Sequence, residues 1–300
     1  MSVNKSDRSK EMAYSRVIRL MLFSFIIPVI FLNAGCGGGG GGPAALTPTP
    51  TPTPVASKVH GFNFSPYIDG QSPNLGAQVS EAQLRTRMEI VRPYTEWVRT
   101  FGCSNGLEKS GSVAHSLGLK IAMGAWISSD ETGNEVQLAN LIAAAKAGEA
   151  DILLVGSETL LNGYVSEETL IGYIERVKEA VPDLPVGYVE THGVLLAHPN
   201  VIDAVDVVVF NCYPFWEQEN IENAMTALRE HYALVKAAAG GKRVIVGETG
   251  WPSAGEAYGN AVASLANATR YFREVAGWAR ENDIELFYFE AFDESWKASR

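Results

Sequence analysis

The sequence predicts a parallel α/β fold of eight strands, closed into a (β/α)8 barrel. Three observations carry this. Short, nearly continuous apolar runs recur at strand length from Lys58 onward, as expected when both faces of a parallel sheet are covered. Amphipathic helical patterns lie between many of them, the alternation that parallel connections require. The segment after the first run is Ser65-Pro66-Tyr67. It lacks the glycine-rich phosphate loop of a doubly wound sheet, so the eight runs favour a barrel.

In chain order the strand candidates are 59–64, 96–101, 119–125, 151–156, 185–190, 206–211, 243–248 and 285–290. Helical patterns occupy 80–92, 133–148, 166–181, 219–239 and 260–282, while the connections after the second and fifth strands are short or irregular. The chain stops at Arg300, ten residues after the eighth strand. A complete barrel carries a helix there, so either the last helix is missing or the sequence is a fragment. A fragment is the expectation.

What precedes the barrel reads as an address. Arg8, Lys10, Arg16 and Arg19 lead into the apolar run Leu20 to Leu32 and then Asn33-Ala34-Gly35-Cys36. Charge, a short apolar core and small residues before a cut mark a signal peptide. Ala34-Gly35-Cys36 resembles a bacterial lipobox, which implies cleavage before Cys36 and lipidation of its thiol. Asn33 stands where the usual leucine would be, with Leu32 one place earlier. Gly37 to Gly42 and the Thr-Pro repeat from Thr47 to Pro54 then form a flexible and an extended spacer, neither able to pack a core. The expected organisation is a signal peptide over 1–36, a linker over 37–57 and a barrel domain over 58–300. Such a chain is exported, anchored through Cys36 in the bacterial cell envelope and expected to be a monomer.

Acidic residues outnumber basic ones by 34 to 24, for a formal charge of -10. That balance argues against nucleic acid and disfavours polyanionic substrates, leaving neutral ones open. Three cysteines are too few for a disulfide framework, so Cys103 and Cys212 are expected to be reduced and structural. His60, His115, His192, His198 and His231 show no metal-ligand spacing, and neither cofactor nor metal is implied. His192, after the fifth strand, is a candidate to line the cleft.

Barrel sites form at the C-terminal strand ends, so carboxylates there matter. Strand four ends in Ser157-Glu158 and strand seven in Gly247-Glu248. A carboxylate directly after a buried run is costly unless paired or used. Each could cap a helix or join an ion pair. Strands four and seven occupy opposing sectors of the mouth, however, and two facing carboxylates can donate a proton to a leaving oxygen and attack, or activate water, on the other side. Tyr213, Phe215, Trp126 and Trp251 fall on mouth loops, where aromatic faces either stack on sugar rings or pack the core. Trp251, followed by Pro252, suits a buttress for Glu248. Glu290, Asp293, Glu294 and Lys297 cluster after strand eight, either to bind hydroxyl groups or as a solvated face.

Gly247-Glu248-Thr249-Gly250-Trp251-Pro252-Ser253, preceded by Val244-Ile245-Val246, resembles the nucleophile segment of glycoside hydrolase family 17, the β-1,3-glucanases. Arg99-Thr100-Phe101-Gly102, Asn211-Cys212-Tyr213-Pro214-Phe215 and Phe289-Glu290-Ala291-Phe292-Asp293 agree with it. The resemblance implies a retaining mechanism with Glu248 as nucleophile and Glu158 as acid/base. Members of that family usually carry asparagine before the acid/base, where its amide can bind a sugar hydroxyl. Ser157 stands there and can still hydrogen-bond with a shorter reach. Three functions are compatible with these residues: hydrolysis of β-glucan, transglycosylation with the same two glutamates, and non-catalytic glucan binding.

Overall fold

The computed structural model describes residues 58–297. The expected signal peptide, Cys36 and the linker lie outside the described residues. Eight parallel strands close on themselves in chain order: β1 (Val59–Asn63), β2 (Thr95–Arg99), β3 (Lys120–Ala125), β4 (Ile152–Ser157), β5 (Val186–Thr191), β6 (Val207–Asn211), β7 (Arg243–Thr249) and β8 (Leu286–Tyr288). The predicted barrel is thus observed, and each strand overlaps its expected segment. The closing seam pairs Gly61 with Phe287 and Phe62 with Tyr288. Gly61 is needed there, because a Cβ would fall 2.4 Å from the Phe287 ring.

The helices are α1 (Glu81–Val91), α2 (Ser110–Ser116), α3 (Glu131–Lys146), α4 (Glu167–Ala180), α5 (His192–Ala197), α6 (Pro199–Ala204), α7 (Ala224–Ala238) and α8 (Leu265–Glu281). Ser80, Ser166 and Ser264 start α1, α4 and α8 by accepting hydrogen bonds from the amides of Gln83, Thr169 and Asn267, each at 3.1 Å. Such caps satisfy otherwise orphaned first-turn donors. Two helices are shorter than their periodicity predicts. The 219–239 pattern becomes helical only at Ala224, because the Asn223 amide bonds to the Asn220 carbonyl and side chain in a turn. The 260–282 pattern begins after the Ser264 cap, preceded by an isolated antiparallel bridge between Tyr258 and Ala261. The connections expected to be irregular hold short pieces: a 3-10 turn at Leu107–Lys109 with α2, and α5 with α6, where Pro199 opens α6.

Inside the barrel, Trp97, Ala122, Ile152, Leu154, Val189, Val207, Val209, Ile245 and Phe287 form one buried cluster. Side chains alternate along a strand. The inward positions one step closer to the C-terminal mouth on β1, β2 and β6 are therefore Asn63, Arg99 and Asn211. The interior changes there from apolar to polar, which places the chemistry on a packed floor. Register shifts occur between Leu154 and Ser157, between Phe210 and Asn211, and between Val246 and Thr249. Irregularities of this kind re-aim side chains, and these three sit beside Glu158, Asn211 and Glu248. Cys103 and Cys212 are buried free thiols. Among the described residues no helix is long and apolar enough to cross a membrane.

Candidate active site

Glu248, near the end of β7, is held on both oxygens. Its Oε1 accepts from Arg99 Nη1 at 2.7 Å, and its Oε2 accepts from the Tyr213 hydroxyl at 2.7 Å. Arg99 is itself only 1% exposed. Its Nη1 also donates to Asn63 Oδ1 at 2.6 Å and its Nη2 to Ser157 Oγ at 3.1 Å, while its guanidinium carbon lies 4.7 Å from the centre of the Phe101 ring. A buried guanidinium is tolerable only when its charge is matched, and Glu248 supplies the match. Asn63 is fixed in turn by donating to the carbonyls of Gly247 and Phe287 at 3.0 and 3.1 Å.

Glu158 follows β4 directly, after Gly156 at φ 88° and with its own φ at 52°. A Cβ on Gly156 would lie 2.6 Å from Thr159 Oγ1, so the turn needs glycine there. A left-handed glutamate costs on the order of 1 kcal/mol. Three bonds hold its backbone: its amide donates to the Val189 carbonyl at 2.8 Å, and its carbonyl accepts from Asn162 Nδ2 at 2.7 Å and from the Asn162 amide at 3.1 Å. The side chain keeps slight solvent contact, but the carboxyl is enclosed and accepts from Asn211 Nδ2 at 2.9 Å. Burial first, then the charges of Glu248 and Glu190, push its pKa up to about 8, against the Asn211 bond and Arg99. One carboxyl is thus tied to a cation and a phenol, and its neighbour keeps a proton at neutral pH.

Glu190 is a third carboxylate that the sequence reading passed over. It is fully buried at the end of β5, takes hydrogen bonds from the Tyr188 hydroxyl and from the amides of Leu161 and Thr191 at 3.1 and 2.8 Å, and has its pKa raised by burial. Its grip on Leu161 anchors the loop that carries Glu158. The rule that flagged Glu158 and Glu248, a carboxylate closing an apolar strand, applies to it equally.

The other expected site residues divide. Ser157 is buried between Arg99 and Glu248, its hydroxyl 3.5 Å from Glu248 Oε1. Tyr213 is part-buried against Glu248, and Trp126 stands 41% exposed on the rim. Phe215 corrects the expectation of a stacking platform. It is 2% exposed, edge-on to Trp216 and Trp251, because the loop turns back on itself through the Trp216 amide and Tyr213 carbonyl. Trp251 also packs on Tyr271, whose hydroxyl meets Thr249 Oγ1 at 2.7 Å, directly behind Glu248. Glu290, Glu294 and Lys297 form a built ion cluster rather than a solvated face. Lys297 Nζ lies 2.6 and 2.7 Å from the two Glu290 oxygens and 2.7 Å from Glu294 Oε2. Burial, with Glu294 helping and Lys297 opposing, raises the Glu290 pKa to about 8. Ser65 and Trp296 also bond to Glu294, while Asp293 is exposed beside the cluster.

Phe101 and Phe289 were not singled out beforehand. Phe289 meets Tyr213 at 5.8 Å and Phe101 at 6.3 Å between ring centres, both edge-on, which gives the mouth an aromatic lip. His192, directly after β5, has its ring turned toward α7. It stacks on His231 of α7 at 3.7 Å, next to Cys212 and Glu217, so residues with no metal-ligand spacing in the sequence converge in space.

A barrel with paired carboxyl groups at its mouth, one clamped and one protonated beside it, has the equipment of an enzyme that cleaves glycosidic bonds. Comparison with known proteins gives the same class. The chain belongs to the BtgE/BtgC glycoside hydrolase domain family, whose model matches residues 61–300. It is 27% identical over 265 residues to a glucan 1,3-beta-glucosidase of Saccharomyces cerevisiae, covering 81% of this chain and 85% of that one. Its fold is similar to the glycoside hydrolase family 17 beta-1,3-glucanosyltransferase of Rhizomucor miehei, with a TM-score of 0.72, 30% identity, and coverage of 80% of this chain and 89% of that one. An active-site mutant of the same glucanosyltransferase, in complex with laminaritriose, matches with the same TM-score of 0.72.

Proposed function

We propose that this chain acts on β-1,3-linked glucan by a retaining, two-step reaction, with Glu248 as nucleophile and Glu158 as acid/base. The observation that supports this best is the unequal environment of the two carboxyl groups. Glu248 Oε1 and Oε2 are oriented by Arg99 and Tyr213, and Glu158 holds a proton with a pKa raised to about 8. In the first step Glu248 bonds to the anomeric carbon while Glu158 gives its proton to the departing glycosidic oxygen, whose bond to that carbon breaks. Glu248 becomes an ester and loses its charge, which removes one cause of the raised Glu158 pKa. Glu158 then acts as a base. It takes a proton from water or from a sugar hydroxyl, the freed oxygen attacks the anomeric carbon, and Glu248 is released.

Water as acceptor gives hydrolysis; a second glucan gives transglycosylation. The similarity to a named beta-1,3-glucanosyltransferase favours keeping the second acceptor in view. Ser157, Tyr213, Trp126, Glu290, Asp293 and Lys297 are the proposed sugar-binding residues, joined by Phe101 and Phe289 at the lip. The test is incubation with a linear β-1,3-gluco-oligosaccharide and mass analysis of the products, beside Glu158→Gln and Glu248→Gln. Shorter products support hydrolysis and longer ones transfer, provided both vanish in the two variants. Unchanged substrate that still binds would refute catalysis and favour a binding protein.

The proposal extends to the setting. Residues 1–36 direct export, Cys36 carries lipid in the bacterial envelope, and 37–57 tether a monomeric barrel spanning 58–300. The start of the matched family segment at residue 61 supports that division. Cys36→Ser is expected to move activity from the membrane to the soluble fraction; unchanged partitioning would sink the anchor.

A further inference from the structure

Four side chains with the chemistry of metal ligands meet behind the mouth, outside the carboxylate site. His192 opens α5, Cys212 follows the last residue of β6, Glu217 lies in the loop beyond it, and His231 projects from α7. One donor atom from each lies within 4.8 Å of all the others. Cys212 Sγ is 3.4 Å from His231 Nδ1, and Glu217 places one oxygen 3.6 Å from His192 Nδ1 and the other 3.6 Å from His231 Nδ1. Metal bonds of about 2.0–2.3 Å in a tetrahedron put neighbouring donors roughly 3.3–3.8 Å apart. The three closest separations, 3.4, 3.6 and 3.6 Å, fall in that range; the imidazoles of His192 and His231, stacked at 3.7 Å, would turn about their χ angles to face a common ion.

We propose that His192, Cys212, Glu217 and His231 form a structural Zn2+ site. The donor set selects the ion: a thiolate and two imidazoles suit zinc, whereas an all-oxygen site would suit magnesium or calcium. Four protein ligands leave no open coordination position, which marks a structural rather than a catalytic zinc. Binding requires the Cys212 thiol to release its proton to solvent, so one proton leaves for each ion bound. Three of the four side chains are only part-buried, with 19–23% of the side chain exposed, so an ion has a route in.

The position gives the site a purpose. Cys212 stands between Asn211, which bonds to Glu158, and Tyr213, which bonds to Glu248. Its amide also donates to the Glu248 carbonyl at 2.9 Å. An ion on Cys212 would pin the end of β6 to α5 and α7, and so fix both contacts with the carboxyl groups.

The test is metal binding by the full chain after exhaustive chelation. One equivalent of Zn2+ is expected to be retained on desalting and to raise Tm. Co2+ is expected to give a thiolate-to-cobalt charge-transfer band and tetrahedral d–d bands that Zn2+ abolishes. Cys212→Ser should remove the charge-transfer band. If that variant fails to fold, His192→Ala and Glu217→Gln, at part-exposed positions, should each weaken Zn2+ binding by about tenfold or more. A natively folded chain that retains no Zn2+ and gives no charge-transfer band overturns the proposal. So does a band that survives in Cys212→Ser, which would place the metal on another cysteine.

Discussion

Replacing Glu158 by glutamine is expected to abolish turnover and yet make the protein more stable at neutral pH. In the unfolded chain this carboxyl titrates near 4.5, and in the folded one near 8. Between those values the folded protein holds a proton that the unfolded chain has released, so stability present below pH 4.5 is lost as pH rises toward 8. At pH 7 the interval above 4.5 is 2.5 units, which at about 1.36 kcal/mol per unit gives an upper bound of roughly 3.4 kcal/mol. Glutamine cannot ionise and keeps an oxygen to accept from Asn211 Nδ2, but its extra donors must find partners. A gain of about 2 kcal/mol is therefore expected, or roughly 4–8 °C in Tm for a domain of this size. The assay is thermal unfolding by circular dichroism from pH 4.5 to 8. Glu290, also raised to about 8, contributes to the slope of both proteins and cancels in their difference. The Tm gap should be near zero at pH 4.5 and widen with pH. A gap independent of pH, or a less stable variant throughout, would refute a proton held by Glu158.

Arg99→Met should cost about 3–5 kcal/mol in urea unfolding, because it leaves Glu248 buried without its cation; a loss under about 1 kcal/mol would contradict the hub drawn around Arg99. Tyr213→Phe removes one hydrogen bond to a charged oxygen, worth about 1.5–3 kcal/mol. It should therefore lower Tm by roughly 3–12 °C and also lower kcat, because Glu248 Oε2 loses the group that orients it; an unchanged kcat would exclude the contact from the reaction. Gly111→Ala and Gly172→Ala should part company. A Cβ at Gly111 would lie 1.7 Å from the Glu149 carbonyl oxygen, whereas nothing lies within 4 Å of one at Gly172. The first should unfold or melt far lower, and the second should melt at the same temperature or higher because alanine favours helix.

The barrel was legible because burial on both faces leaves strand-length apolar runs, and because amphipathic helical patterns alternate with them along the chain. Where the reading overshot, at 219–223 and 260–264, helix-compatible residues lie in segments fixed by local hydrogen bonds such as the Asn220 turn. The glutamates at the ends of β4 and β7 were visible as charges that apolar strands would not otherwise carry. Their partners were not. Arg99 and Asn211 could be quoted as parts of motifs, but their bonds to Glu248 and Glu158 join residues 149 and 53 positions apart. No local spacing encodes such a contact. Phe215 shows the same gap from the other side, since an aromatic on a mouth loop reads alike whether it faces sugar or core. The His192, Cys212, Glu217 and His231 group is an extreme case, assembled from β6, its loop and two separate helices.

Arg99 also bears on how the molecule comes together. It belongs to β2 and reaches Asn63 of β1, Ser157 of β4 and Glu248 of β7. Divided into β1–β4 and β5–β8, the ring leaves an unmatched guanidinium in one half and an unmatched carboxylate in the other, with Glu158 and Glu248 parted as well. Neither half could carry a working site, and each would bear an exposed or poorly solvated charge until the seam shut. The attraction that orients Glu248 therefore also rewards closure of the ring. It ties a complete site to a closed ring, because only then do Glu158 and Glu248 share one mouth.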